Sequence, residues 1–336
     1  MAISVGGAPK RLGLALSGGG FRAAAFHLGV FRALAARGWL WKVDLISCVS
    51  GGSIAGAFLA KNWGDDSCLD RFDEYLATQS LAVSTVLGGI FSPFSSRLDK
   101  LADRYDEDLF DGATLGDLPD GPRLYLNATN IASGNLFFFV TGGGKPAELG
   151  EWELGVHPGD RFRLARAVAA SSAFPPVYPP LELGRDVYPG AGVEYVTLTD
   201  GGVYDNLGIN PLVRFERNPL HYAIASDGGK PFEIVRNPTR RGTIVLKSAI
   251  DILMEQVRGL QFARLLSGFE TGQGPKPLFF SIDSVEGEAR PGDAARASAI
   301  GTNLKKLSDD ERELLARHSS ALMQARIARY APELDA

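Results

Sequence analysis

The chain has 336 residues, 45% of them hydrophobic and 22% charged, with a formal net charge of −4. That balance fits a folded chain of one large domain or two modest ones, and it lacks the basic excess of a nucleic-acid-binding protein. Its two cysteines, Cys48 and Cys68, form no C-x-x-C pair and have no histidine at ligand spacing, so neither a disulfide framework nor a metal site is expected.

Taken in chain order, "RLGLALSGGG" opens with a short apolar strand, Leu12 to Leu16, broken by Ser17 and three glycines. A helix follows, with Phe26, Val30 and Leu34 at i, i+4 and i+8 and Gly38 as its stop. "VDLISCV" is a second strand, and "SGGSIAGAFLAKNW" opens a second helix. Residues 69–110 read as mostly helical, a cap or lid containing an uncharged stretch between Glu74 and Arg97. "PRLYLNATNI" and "NLFFFV" are strands, and "RFRLARAVAASSAFPP" is a helix stopped by its prolines. "VEYVTLTDGG" and "HYAIASDGG" are strands ending in glycine turns. A long amphipathic helix spans 243–269, "PLFFSIDS" is a late strand, and Ser308 caps a closing helix over 308–331. Strands alternating with helices predict a mainly parallel sheet in an α/β fold. With no repeat and no linker, residues 1–336 are expected to form one domain.

Three sites share one form, a strand followed by glycines: Gly18 to Arg22, Cys48 to Gly52, and Asp200 to Gly202. If their strands share one sheet, chemistry collects beyond the strand ends. Attack on a carbonyl needs a hydroxyl clear of its own backbone, and a sharp strand-to-helix turn with small neighbours supplies that. Ser50 sits in such a turn, with Gly51 and Gly52 on its helix side; the other job for Ser50 is to cap the helix. Gly18, Gly19 and Gly20 ahead of a helix suit an anion, either an oxyanion or a phosphate. The position where a dinucleotide site wants an acid holds Cys48 and Val49, which weakens the phosphate alternative. Asp200 can orient or deprotonate a serine hydroxyl within reach, or simply form an Asx turn.

In combination, "LALSGGGFR", "CVSGGS", "ASSAFPPVYPP" and "LTDGGVYDNLG" resemble the patatin-like phospholipase family in order and spacing, over most of the chain. "PRLYLNATNIASG" and the closing helix also look like family segments. The resemblance implies a three-layer α/β/α sandwich and a serine–aspartate dyad that cleaves acyl esters of lipids. Ser50 is then the nucleophile and Asp200 its base. Gly18, Gly19, Gly20 and Gly51 form the oxyanion hole, supported by Arg22, Gly52, Gly201 and Gly202. The departure is Cys48, which replaces the first glycine of G-x-S-x-G.

A Ser-Asp-His triad is formally open, since His221 and His318 follow Asp200. His221 begins its strand at the end remote from the site. His318 sits among exposed-looking Arg and Ser, and His27 lies one turn past the glycine loop. All three are expected to be structural. The stretch 81–94, with Phe91, Pro93 and Phe94, is the candidate lid or membrane-docking element; a buried cap is the plainer expectation. The "FFF" run at 137–139 is expected to be a buried strand. The N-terminus lacks an apolar h-region and no run reaches membrane-span length, so a cytoplasmic enzyme, peripheral at a membrane, is expected. Its partner is a lipid or acyl-ester substrate, with no nucleic acid and no cofactor. An acyltransferase using the same dyad, or a weakly active phosphate or nucleotide binder, are the alternatives.

Overall fold

The computed structural model describes residues 2–81, 96–189, 192–232, 234, 241–286 and 290–335. A small hairpin, β1 (Ile3–Val5) and β2 (Ala8–Lys10), leads into β3 (Leu12–Leu16), α1 (Gly20–Ala36), β4 (Leu45–Cys48) and α2 (Gly51–Lys61). Next come α3 (Cys68–Thr78), α4 (Arg97–Tyr105), β5 (Arg123–Asn130), β6 (Leu136–Thr141), β7 (Glu148–Glu151), β8 (Gly155–Pro158) and α5 (Leu164–Ser171). The chain continues with β9 (Leu181–Gly184), β10 (Tyr195–Asp200), α6 (Gly202–Asp205), β11 (Tyr222–Asp227), α7 (Gly242–Glu270), β12 (Lys276–Ser281), α8 (Asp293–Ala299) and α9 (Asp309–Tyr330).

One ten-stranded sheet has eight strands in the order β12-β11-β3-β4-β5-β6-β7-β8, while β10 pairs with β5 off this path and β9 with β10. From β12 to β5 every pairing is parallel; β6, β7 and β8 add an antiparallel meander. The parallel strands are covered on both faces, so they read as near-continuous apolar runs. Alternation divides them between two cores. In β3, Leu12, Leu14 and Leu16 join the larger cluster, and Ala15 joins the smaller. The same split holds in β11, with Ile224 on one face and Ala223 and Ala225 on the other. The α1 helix packs against α2 and α9 on the larger-core side.

The register around β5 positions the site. β6 pairs with one edge of β5 from Leu124 to Thr129. The other edge is shared: β4 pairs with Arg123 to Leu126, and β10 pairs antiparallel with Ala128 to Asn130. The C-terminal ends of β4 and β10 therefore meet head-on beside Asn127. The sequence pattern suggested that all three glycine turns end parallel strands; β10 instead arrives from the opposite direction.

Other expectations meet mixed outcomes. The "FFF" run is fully buried in β6, and Ser308 caps α9 in a reciprocal bond pair with Glu311. The expected helix over 161–176 shortens to α5, because the chain leaves helical geometry before Pro175 and Pro176. The α7 helix forms where expected; Phe262 and Leu265 pack into the smaller core, but much of its apolar surface faces outward. Leu246, Leu253 and Leu260 are 64%, 64% and 70% exposed, whereas Arg258 turns inward to Asp227. The hairpin β1–β2 and the short strands β7, β8 and β9 carry too few alternating residues to be read in advance. Of the expected cap, α3, α4 and a π turn over Asp106–Phe110 are present. Residues 82–94 of the expected docking element, with Phe91, Pro93 and Phe94, lie outside the described residues. Among the described residues no helix is long and apolar enough to cross a membrane.

Candidate active site

Ser50 occupies the bend between β4 and α2 at φ 51° and ψ −115°. Positive φ is costly for a residue with a Cβ, of order 1–3 kcal/mol, and persists only where surroundings impose it. Here the neighbours are obligate glycines. A Cβ on Gly51 would collide with the carbonyl oxygen of Gly20, and one on Gly52 with that of Leu16. Cys48 is fully buried, and burial pushes its thiol well above the ordinary range, so it stays protonated. Its Sγ fills the place a Cβ on Gly56 would take, one turn and a half into α2. The bulk that Cys48 adds on the strand is thus accepted by a missing side chain on the helix.

The glycine loop after β3 lies against this bend. Gly19 and Gly20 have φ of 142° and 62°, a region open chiefly to glycine. The N–H of Gly18 donates to the Asn206 carbonyl at 3.1 Å, and that of Phe21 to the Asn303 carbonyl at 2.9 Å. The N–H groups of Gly19, Gly20 and Gly51 have no acceptor among the described residues. Gly18 therefore shapes the loop and does not offer its own N–H to an oxyanion, contrary to expectation. Arg22 is fully buried and bonded to backbone carbonyls: Nε and Nη2 donate to Gly228, and Nη1 to Ser298 and Ile300. It ties the first turn of α1 to the loop after β11.

Asp200 ends β10 and is buried. The Ser50 side chain lies close enough to its carboxylate to favour the charged form, and Oδ1 accepts the N–H of Gly202 at 2.7 Å. Burial raises its pKa to about 7, with the Gly202 N–H and the neighbouring Ser50 pulling the other way. A Cβ on Gly201 would collide with the Asn127 carbonyl oxygen, and one on Gly202 would lie 2.6 Å from Asn206 Oδ1. Gly52, Gly201 and Gly202 thus allow backbones to approach closely. The second Asp-Gly-Gly differs in use: Asp227 pairs with Arg258 at 2.6 Å and accepts the N–H of Gly229.

The histidines are engaged elsewhere. His27 is buried; its Nε2–H donates to the Ser17 carbonyl, Nδ1 accepts from Ser226 Oγ, and burial lowers its pKa to about 4. His221 accepts the Arg11 N–H at the far end of β11. His318 is fully buried, not exposed as its neighbours suggested, and its Nε2–H donates to the Ile282 carbonyl. Asn127, Ser171 and Asn206 crowd the site without having been singled out by type. Asn127 donates through Nδ2 to Ser47 Oγ and the Cys48 carbonyl, where β4 and β10 meet. Their only signal in the sequence was their place inside "NATNIASG", "ASSAFPP" and "VYDNLG".

No curated protein gives a significant match to this chain. Among solved structures, the human GIVD cytosolic phospholipase A2 aligns with a TM-score of 0.59 at 13% identity, over 97% of this chain and 62% of that one. The same enzyme in complex with a methyl gamma-linolenyl fluorophosphonate inhibitor and terbium chloride aligns at 0.54 and 14%, over 97% and 59%. VipD from Legionella pneumophila aligns at 0.46 and 16%, over 96% and 68%. The chain spans less than two thirds of the human phospholipase's length, and at these identities the likeness to it is one of fold. The model of a family, patatin-like phospholipase, matches residues 14–213, from β3 through the turn that follows α6. That stretch exceeds half the chain and contains both Ser50 and Asp200, and the chain belongs to the patatin-like phospholipase family.

Proposed function

We propose that this protein is a lipid acyl hydrolase in which Ser50 and Asp200 form the catalytic dyad. The observation that carries the proposal is the placement of the Ser50 side chain beside the buried Asp200 carboxylate, at a strained strand-to-helix bend. As Ser50 Oγ attacks the ester carbonyl carbon, Asp200 takes its proton. Negative charge develops on the carbonyl oxygen, beside the N–H groups of Gly19, Gly20 and Gly51 and the N-terminus of α2. Collapse breaks the bond to the alcohol, whose oxygen takes the proton held by Asp200. Water then attacks the acyl-serine, giving its proton to Asp200; the bond to Ser50 Oγ breaks, Oγ takes that proton back, and the acid leaves with both residues as they began.

Family membership supports an ester of a lipid as substrate. The human structural neighbour, a cytosolic phospholipase by name, was captured with a linolenyl fluorophosphonate, which suits an acyl-chain site next to a serine. Cytoplasmic work at a membrane surface is part of the same proposal. A phosphate or nucleotide cradle at the glycine loop fits less well, because the N–H groups of Gly18 and Phe21 already have backbone acceptors.

The test is labelling with methyl gamma-linolenyl fluorophosphonate followed by peptide mapping, beside hydrolysis of p-nitrophenyl esters. The label is expected on Ser50, and Ser50→Ala is expected to abolish both labelling and turnover. Substantial hydrolysis by folded Ser50→Ala would overturn the assignment.

A further inference from the structure

The end of α5 touches both members of the dyad. The Ser50 N–H donates to Ser171 Oγ at 3.0 Å. The Ser171 hydroxyl donates in turn to the Asn127 carbonyl at 2.6 Å, and the Ser53 hydroxyl completes the set at 2.8 Å. From the same residue, the Ser171 carbonyl accepts the N–H of Gly201 at 3.3 Å. Two residues on, the Ala173 carbonyl accepts the Asp200 N–H at 3.1 Å and the Thr199 hydroxyl at 2.8 Å. Ser171 is fully buried.

These bonds solve a problem that the sheet leaves open. β4 and β10 are not neighbours; both pair with β5, and their ends abut beside Asn127. No ladder hydrogen bond joins the ends, so the sheet alone does not set the distance from Ser50 to Asp200. The Ser50 backbone is also held at positive φ, and an anchor on its N–H opposes relaxation of that bend. Because Ser171 Oγ is the acceptor of that N–H, the Ser50 N–H is directed into the protein and away from the oxyanion donors.

We propose that Ser171 is a positioning residue for the reaction: its hydroxyl fixes the nucleophile's backbone, its carbonyl fixes the turn that follows the base, and together they set the separation of Ser50 from Asp200. The proposal rests on the dyad assignment above. Ser171 does not touch substrate; it acts through Ser50 and Asp200.

The test compares Ser171→Ala with Ser53→Ala in the full chain. Both remove a hydroxyl from the same buried set, but only the first deprives the Ser50 N–H of its acceptor. Displacing a reacting group by about 1 Å can cost about 100-fold in rate, so Ser171→Ala is expected to lose about 100-fold in kcat and in the rate of fluorophosphonate labelling. Its KM is expected to stay within about threefold, and Ser53→Ala is expected to keep kcat within about threefold, because uniform binding is untouched. Ser171→Thr, which restores the hydroxyl, is expected to recover most of the lost rate. If Ser171→Ala does not fold, Ser171→Cys makes the same comparison, its thiol filling the space while accepting only weakly. Equal losses in Ser171→Ala and Ser53→Ala, undiminished kcat, or a change confined to KM would each overturn the proposal. A wild-type protein that is not labelled at Ser50 would instead remove the dyad assignment, and the positioning role with it.

Discussion

Ser50 and Asp200 stand at the facing ends of two strands that share one edge of β5, with the side chain of the first beside the carboxylate of the second. The acid is buried where a base is wanted. In the proposed reaction its proton affinity, raised by that burial, makes it a stronger acceptor for the serine proton than an exposed carboxylate would be.

In the proposed dyad, attack requires Asp200 ionised, and burial raises its pKa to about 7. kcat/KM for a neutral ester is therefore expected to climb with pH along an acid limb near 7. Initial rates between pH 5.5 and 8.5 check this. A profile already flat at pH 5.5 would contradict it.

The same shift predicts a stability effect. The folded protein keeps a proton on Asp200 that the unfolded chain releases near pH 4. The contribution is full below the unfolded pKa and is lost as pH rises through about 7. Asp200→Asn should thus stabilise the protein by about 1–4 kcal/mol at pH 8 and by little at pH 4. Urea unfolding at the two pH values measures the difference, and equal effects at both would count against a buried, raised carboxyl.

Ser50 holds a backbone conformation that glycine adopts without strain. Ser50→Gly and Ser50→Ala should both be inactive. Only the glycine variant should gain stability over the alanine variant, by about 1 kcal/mol. Thermal melting separates them, and identical melting temperatures would mean that the bend is unstrained.

Cys48 and Gly56 are predicted to be coupled. Gly56→Ala places a methyl where Cys48 Sγ lies and should destabilise the protein. Cys48→Gly removes that sulfur, so the double variant should be more stable than the sum of the single effects by at least about 1 kcal/mol. Additive effects in a double-mutant cycle would show that the sulfur and the helix glycine do not meet.

His221 and His318 are bonded away from the dyad. His221→Ala should leave kcat within about twofold. His318→Ala should behave likewise while losing about 1–3 kcal/mol of stability, since it empties a buried, hydrogen-bonded position. A loss of rate as deep as that of Ser50→Ala in either variant would replace the dyad by a triad.

Local patterns carried much of this protein. The Leu12–Leu16 strand, α1 with its stop at Gly38, the buried "FFF" strand and the capped closing helix follow from periodicity and turn chemistry over a few residues each. α7 shows the limit of such patterns. Its apolar period predicts a helix, but the face turned inward carries Arg258, bonded to Asp227 thirty-one residues away, beside Phe262 and Leu265. His318 is a similar case: its neighbours on α9 look exposed, yet it is buried beside Phe26 of α1 and bonded to the Ile282 carbonyl after β12.

For the site, the sequence by itself determined the chemistry on offer: a serine between glycines, a glycine loop ahead of a helix, and an aspartate before two more glycines. Only the tertiary structure decided how they meet. That β10 runs antiparallel and abuts β4, that Gly18 gives its N–H to Asn206, and that Ser171 bridges the two strand ends are all contacts between segments far apart in the chain. The physical reason is that a turn is specified by the residues within it, whereas the distance between two turns is set by the packing and hydrogen bonds of everything between them.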